Sequence, residues 1–181
     1  MVIKRKSLRP QDVVVLFSLL SMRQADWVVA EVANLACLSL SETHAAIGRL
    51  EVSGLLSFKT RRPVLDASKE FLLHGVKYVF PAEAGGRSTR GVPTAHSAPP
   101  LYDRIVGDDD NTYVWPCSYG KVKGTPVIPL YKTVPDAVQK DNDLYELLAL
   151  TDAISVGRVR ERTLAEELLL KKLKVLGEDL S

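Results

Sequence analysis

The sequence predicts a mixed α+β protein, mostly helical, with three regions of different character. Two segments with apolar residues at helical spacing, joined by a short turn, lie near the N-terminus. The middle is rich in proline and glycine, and leucine-rich helical segments follow. We therefore expect an N-terminal helix-turn-helix with a short hairpin, an irregular middle with a second hairpin, and C-terminal helices. The expected domains are residues 1–66 and 67–181.

The spacing of apolar residues predicts the first helix, and capping residues mark the turn after it. Val28, Val32 and Leu35 recur at helical intervals, so one face of this helix is apolar. After the turn, Ser39 can cap a second helix, and Glu42 three residues later completes the pattern of a capping box. A helix-turn-helix over residues 28–52 is predicted.

The second helix has two chemically different faces. One face is predicted to be buried and carries Thr43, Ala46, Ile47 and Leu50. The other is predicted to point outward and carries Ser41, Glu42, His44, Ala45, Gly48 and Arg49. Small, polar and basic side chains on an exposed helix face are suited to a DNA major groove.

A basic hairpin is predicted directly after this helix. Ser53-Gly54 ends the helix, residues 55–58 form a strand, and Val64-Leu65 can return as its partner. The turn between them is basic and contains Lys59, Arg61 and Arg62. Such a turn can contact the phosphate backbone of DNA.

Together these residues resemble the MarR-like bacterial winged-helix regulators. The similarity lies in Leu38-Ser39-x-Ser41-Glu42, then Ile47-x-Arg49-Leu50-Glu51-x-x-Gly54-Leu55-Leu56, and it covers the first third of the chain. It implies an N-terminal winged helix-turn-helix that binds double-stranded DNA, here with a short wing. The expected DNA-binding residues are Ser39, Ser41, Glu42, His44, Ala45, Arg49, Lys59, Arg61 and Arg62.

Charge is distributed unevenly along the 181 residues. Residues 1–62 hold nine Lys/Arg and five Asp/Glu, a balance of +4, whereas the remainder holds fifteen against seventeen, a balance of −2. The net charge of +2 argues against a binder that acts through charge alone. No apolar run is long enough to span a membrane and no secretory signal is visible, so a cytoplasmic protein is expected.

The N-terminal segment and the region after the basic hairpin complete the helical prediction. Residues 1–7 resemble a basic, poorly ordered arm, and Pro10 stands where an apolar helix through Leu20 begins. A further helix is predicted from Ala67 to Tyr78.

The middle region, residues 81–135, contains eight of the ten prolines and six of the eleven glycines. A hairpin is predicted in which residues 113–115 pair with residues 127–130. Arg87 and Arg90 in a Gly-Gly-Arg-Ser-Thr-Arg-Gly run are candidate contacts for an anion or a partner protein, with an ordinary surface loop as the alternative. The segments 71–75, 78–81 and 90–94 resemble uncharacterised bacterial winged-helix proteins, which implies no activity.

The C-terminal region is predicted to form two helices. Asp143 can cap the first, Gly157 can break it, and residues 158–176 form a long amphipathic helix. Its apolar stripe either closes the protein's own core or forms a homodimer, and the dimer is the preferred interpretation. The dimer residues would be Leu168, Leu169, Leu173 and Leu176.

The preferred function is therefore a sequence-specific transcriptional regulator that binds DNA as a homodimer. The alternative is an antitoxin-like or adaptor protein whose C-terminal region binds a partner protein. No nucleophile stands on a sharp turn, and neither the two cysteines nor the three histidines have metal-ligand spacing. We expect no enzyme activity, no cofactor and no metal, and we interpret Asp108, Asp109 and Asp110 as a solvated turn.

Overall fold

Helix α1 (Pro10–Met22) lies at the centre of the molecule. The computed structural model describes residues 7–105 and 111–179, so residues 1–6 of the predicted basic arm and the Asp108–Asp110 turn lie outside the described residues. Pro10 begins α1 as expected, and every side chain from Gln11 to Ser21 is buried. A helix that is buried all round must be covered on every side, and α1 contacts elements from both predicted domains.

Two further helices pack on α1 and confirm the predicted pair. Helix α2 (Val29–Ala36) is followed by a three-residue turn and then by helix α3 (Leu40–Val52). The chain continues into α4 (Leu65–Glu70), a π-helical turn (Phe71–Gly75) and α5 (Val76–Val79). These three pieces occupy the helix predicted from Ala67 to Tyr78. The expected domain boundary between residues 66 and 67 falls inside α4.

The middle region forms a small closed sheet rather than the predicted hairpin. Strand β1 (Thr89–Pro93) pairs antiparallel with both β2 (Tyr113–Pro116) and β3 (Val122–Pro126), and β2 pairs with β3 in parallel. The prediction placed residues 127–130 against residues 113–115 and missed β1. Residues 127–130 instead follow β3, where Val127 bridges to Ala84.

Two glycines make this closure possible. A Cβ atom on Gly91 would lie 2.1 Å from the Trp115 carbonyl oxygen, and one on Gly120 would lie 2.3 Å from Cα of Gly91. Both distances are below any tolerable contact, so the backbone segments approach each other at a separation that only glycine permits. The high glycine content of the middle region therefore reflects close backbone packing as well as turns.

Helices return after the sheet, as predicted. They are α6 (Val134–Ala137), α7 (Asn142–Val156) and α8 (Val159–Asp179), and Gly157 separates the last two. Helix α7 is capped by Asp141, whose Oδ1 accepts from the Leu144 amide at 2.7 Å, and not by Asp143. Capping by Asp143 fails because this residue lies inside the helix.

The arrangement confirms the predicted α+β, mostly helical class. One continuous apolar cluster joins α1, α3, α7 and α8 with residues of the small sheet. Across the described ranges, no helix is long and apolar enough to cross a membrane.

Candidate nucleic-acid interface

The turn between α2 and α3 is held by local backbone and capping contacts. Cys37 ends α2 in the left-handed conformation with φ 54°, and the amide of Leu38 donates to the Ala33 carbonyl at 2.9 Å. Ser39 then caps α3, because its Oγ accepts from the Glu42 amide at 3.2 Å. The geometry therefore fixes where α3 starts.

The predicted capping box is only half formed. The Glu42 carboxylate accepts from Gln11 Nε2 on α1 at 2.8 Å and from the hydroxyl of Tyr131 at 3.4 Å, and does not reach back to the Ser39 amide. The carboxylate is bound instead by the side chains of Gln11 and Tyr131, which are distant in the sequence. Glu42 consequently connects α3 to α1 and to the segment after β3, which makes it a positioning residue.

The inward and outward faces of α3 divide largely as the spacing predicts. Thr43, Ala46, Ile47 and Leu50 are buried. Ser41, His44 and Ala45 are exposed, and a Cβ atom built on Gly48 meets nothing within 4 Å. We call these four residues, Ser41, His44, Ala45 and Gly48, the outer face of α3.

Glu42 and Arg49 are the exceptions, and the predicted outward direction of both is wrong: Glu42 binds Gln11 of α1, and Arg49 binds Asp12. The Nε and Nη2 atoms of Arg49 donate to the two carboxylate oxygens of Asp12, both at 2.7 Å, and the side chains are 11% and 0% exposed. The Asp12 carboxylate raises the pKa of the Arg49 guanidinium through this hydrogen bonding. A guanidinium held on both oxygens of a buried carboxylate is not free to contact a base edge.

The predicted basic hairpin is reduced to a short turn. One β-bridge joins Leu56 and Pro63, and the Ser57 amide donates to the Arg62 carbonyl at 2.9 Å. The predicted return strand at Val64-Leu65 does not form, since Leu65 already begins α4. We call residues 57–62 the basic turn.

The three basic side chains of this turn have different environments. Arg61 stacks over the Trp27 ring, 4.1 Å from its centroid, and its Nη2 donates to the Trp27 carbonyl at 2.8 Å. The Trp27 indole donates back to the Arg61 carbonyl, so this pair shapes the turn. Arg62 also interacts with the rest of the protein, whereas Lys59 is exposed. Lys59 is therefore the basic side chain of the turn best placed for an external contact.

The partner of Arg49 is the main feature that sequence reasoning missed. Asp12 lies 37 residues away, in the first turn of α1, where an acidic residue is an ordinary helix-start signal. Its oxygen Oδ2 also accepts from the Arg9 amide at 2.9 Å. The only hint in the sequence was a carboxylate beside a long apolar run.

The candidate arginines of the middle region lie on the small sheet and in the turn that precedes it. Arg90 is exposed on β1 opposite Lys123 of β3, and Arg87 is exposed in the turn before β1. The structure thus places Arg90 beside a second cation. This pairing is compatible with an anionic partner and equally with a solvated surface.

The proposed dimer stripe is buried within one chain. Leu168 is 8% exposed, and Leu169, Leu173 and Leu176 are fully buried. Helix α8 packs these side chains on α7, α1 and α4, so the stripe closes the protein's own core and is not available to a second subunit. The preferred interpretation of the stripe is corrected accordingly.

Comparison with known proteins adds no assignment. The chain matches no protein-family model, no curated protein and no solved structure. Within the described residues, no group of three histidine, cysteine, aspartate or glutamate side chains could hold a metal ion. The outer face of α3 and the basic turn therefore stand as the candidate interface on their own geometry.

Proposed function

We propose that this protein binds double-stranded DNA through the outer face of α3 and acts as a transcriptional regulator, without a catalytic step. The observation that carries the proposal is the exposure of Ser41, His44 and Ala45 on a helix of fixed position. Small side chains allow close approach to base edges, and the imidazole and hydroxyl can donate or accept hydrogen bonds there. A role at DNA would also place the protein in the cytoplasm.

The fixed position of α3 supports this proposal. Two polar links, Asp12 to Arg49 and Gln11 to Glu42, join α3 to the buried helix α1. A DNA-contacting helix that is held at two points loses little conformational freedom on binding, which favours affinity. The resemblance to winged-helix regulators implies the same DNA-contacting helix, and in this proposal the basic turn takes the place of the wing.

The proposal assigns the contacts differently from the sequence prediction. Ser41 and His44 are the base-contacting residues, and Lys59 in the basic turn contacts phosphate. Arg49 and Arg61 act as positioning residues, because both guanidinium groups are already bound to protein atoms.

The test is selection of bound DNA from a random duplex pool, followed by anisotropy titration of the selected duplex. His44→Ala should weaken specific binding by roughly 1–3 kcal/mol, as expected when one base contact is lost. His74→Ala is the matched control, because His74 is also exposed but lies in the π-helical turn. If no sequence is enriched, or if both variants bind like the unchanged protein, the assignment of α3 is wrong.

A second measurement isolates the basic turn. Lys59→Gln should weaken specific and non-specific binding alike and reduce the log–log salt slope by about 0.9, the value for one phosphate contact. Lys174→Gln on α8 is the control, since that lysine is exposed and belongs neither to α3 nor to the basic turn. An unchanged slope for Lys59→Gln would remove the turn from the interface.

A symmetric dimer remains part of the proposal, because helix-turn-helix proteins usually bind two half-sites. Its interface must lie outside the buried leucine stripe. Light scattering with and without the selected duplex would show whether two chains bind per site.

A second candidate function, a module that binds a partner protein through the region around α3 and not through the C-terminal region expected from the sequence, is favoured by one observation. Leu40, Val52 and Phe58 are 59%, 63% and 79% exposed on or beside α3. Apolar exposure of this kind is more typical of a protein interface than of a phosphate-facing surface. Phe58→Ser should then weaken a purified complex with the partner protein much more than it weakens DNA binding.

A further inference from the structure

A cavity of about 170 Å³ lies where α1, α5, α7 and the segment after β3 meet. Most of its wall is apolar, and the apolar side chains that matter here are Val76, Phe80, Ile128 and Leu130. Asp152 of α7 also lines the cavity. Among the described residues that line the cavity, it is the one with a charged side chain. The cavity therefore combines an apolar wall with a single carboxylate.

The carboxylate of Asp152 is bound to the protein through only one of its oxygens. Oδ2 accepts from Thr94 Oγ1 at 2.8 Å and from the Trp115 indole at 2.6 Å. Oδ1 receives no hydrogen bond from any described residue, and Asp152 is 5% exposed. Oδ1 is not among the fully buried side-chain atoms that lack a partner, so it is accessible and can accept a hydrogen bond from a molecule in the cavity.

The other polar side chains of the cavity are already engaged. Thr151 donates to the Leu147 carbonyl at 2.8 Å, and Ser155 Oγ accepts from the Ala82 amide at 3.0 Å. Asp152 Oδ1 is thus the acceptor best suited to orient a bound molecule. A carboxylate attracts a cationic donor most strongly and repels an anion.

We propose that this cavity binds a compact apolar molecule that carries one ammonium group, with the ammonium donating to Asp152 Oδ1. The size fits, because an engineered cavity of roughly 150 Å³ accommodates benzene. The apolar wall supplies the hydrophobic contact, and the carboxylate supplies orientation and charge selectivity. This site is separate from α3 and does not depend on the proposed DNA binding.

The first test compares three probes of similar ring size on the unchanged protein by amide and methyl NMR titration at about pH 8. Benzylamine should bind roughly tenfold or more tightly than toluene, because a charge-assisted hydrogen bond is added, and benzoate should bind most weakly. The shifts should centre on Val76, Ile128 and Leu130. Equal affinities for the three probes, or shifts centred elsewhere, would overturn the proposal.

The second test uses an isosteric variant. Asp152→Asn keeps an acceptor for Thr94 and Trp115 and removes the charge, so benzylamine affinity should fall about tenfold while toluene affinity stays the same. Asp66→Asn, at an aspartate with 98% side-chain exposure, is the matched control and should change neither. If Asp152→Asn does not fold, the comparison of the three probes on the unchanged protein still tests whether the cavity prefers an ammonium-bearing molecule.

Discussion

The contact between Arg49 and Asp12 is the strongest polar link between α3 and the core. Asp12 is fully buried, and its two oxygens accept three hydrogen bonds, two from Arg49 and one from the Arg9 amide. Burial of a carboxylate is costly, and the paired guanidinium offsets that cost. Removing only one partner leaves a buried, uncompensated charge.

Arg49→Ala should therefore lower the free energy of unfolding by about 3–5 kcal/mol at neutral pH. Urea denaturation followed by far-UV circular dichroism would measure the loss. The double variant Asp12→Asn/Arg49→Ala should recover part of it, because no charge is left unpaired. As a control, Arg90→Ala on the exposed side of β1 should change stability by less than about 0.5 kcal/mol. A small loss in Arg49→Ala would mean that the guanidinium is not a structural partner.

Asp152 should make stability depend on pH in an unusual direction. Burial raises its pKa from 3.8 to about 7, against the opposing effect of hydrogen bonds from Thr94 and Trp115. The folded state thus holds this proton more tightly than the unfolded state. The stabilisation is complete below the unfolded pKa and is lost as pH rises through about 7.

The measurement is the difference in unfolding free energy between the unchanged protein and Asp152→Asn across that range. Between about pH 4 and pH 8 the unchanged protein should lose up to about 4 kcal/mol relative to the variant, which does not titrate there. No other charged side chain lines the cavity within the described residues, so the difference reports on Asp152. A flat difference would contradict the raised pKa.

At the scale of elements, the C-terminal helix is a structural part of the core. Helix α8 buries its leucine stripe against α7, α1 and α4, and leaves Leu170 and Val175 partly exposed on the other side. Its amphipathic character is fully used within one chain.

Leu173→Ala should destabilise the protein by about 2–5 kcal/mol, since the fully buried side chain leaves a cavity behind. Leu170→Ala is the matched control on the same helix and should cost much less, because Leu170 is 42% exposed. Urea titrations give both values, and light scattering of each variant should match the unchanged protein. A change of oligomeric state in Leu173→Ala with unchanged stability would restore the dimer interpretation.

At the scale of the whole molecule, the helical N-terminal region and the rest share one core. Helix α1 supplies the centre of that core and contacts α2 and α3 as well as α7 and α8. Residues on both sides of the expected boundary therefore depend on the same buried helix. Such sharing favours a single cooperative transition.

A fragment of residues 1–66 should consequently fail to fold, whereas the full chain should unfold in one transition. The fragment loses α7 and α8, which cover part of the α1 surface, and leaves apolar side chains such as Phe17 and Leu20 without their full surroundings. Circular dichroism and amide NMR dispersion of the fragment test this. A well-dispersed fragment spectrum would show that the first predicted domain is autonomous.

Local patterns in the sequence determined the helices and most of the face assignments of this protein. Apolar spacing and the Ser39 cap located α2 and α3 and identified the buried side chains Thr43, Ile47 and Leu50, because helix periodicity and capping act within a few residues. The proline and glycine content also separated the irregular middle from the helical ends. For the candidate site, this was enough to identify Ser41, His44 and Ala45 as exposed.

Only the tertiary structure decided which partners those side chains have. Arg49 occupies an outward position by spacing, yet a carboxylate 37 residues away turns it inward. The apolar stripe of α8 has the same sequence pattern whether it covers the protein's own core or a second chain. Strand β1 pairs with two strands that come much later in the chain, and its own sequence does not specify them. Pairing, burial and the Asp152 cavity depend on how distant segments meet, and periodicity within one segment contains no information about that meeting.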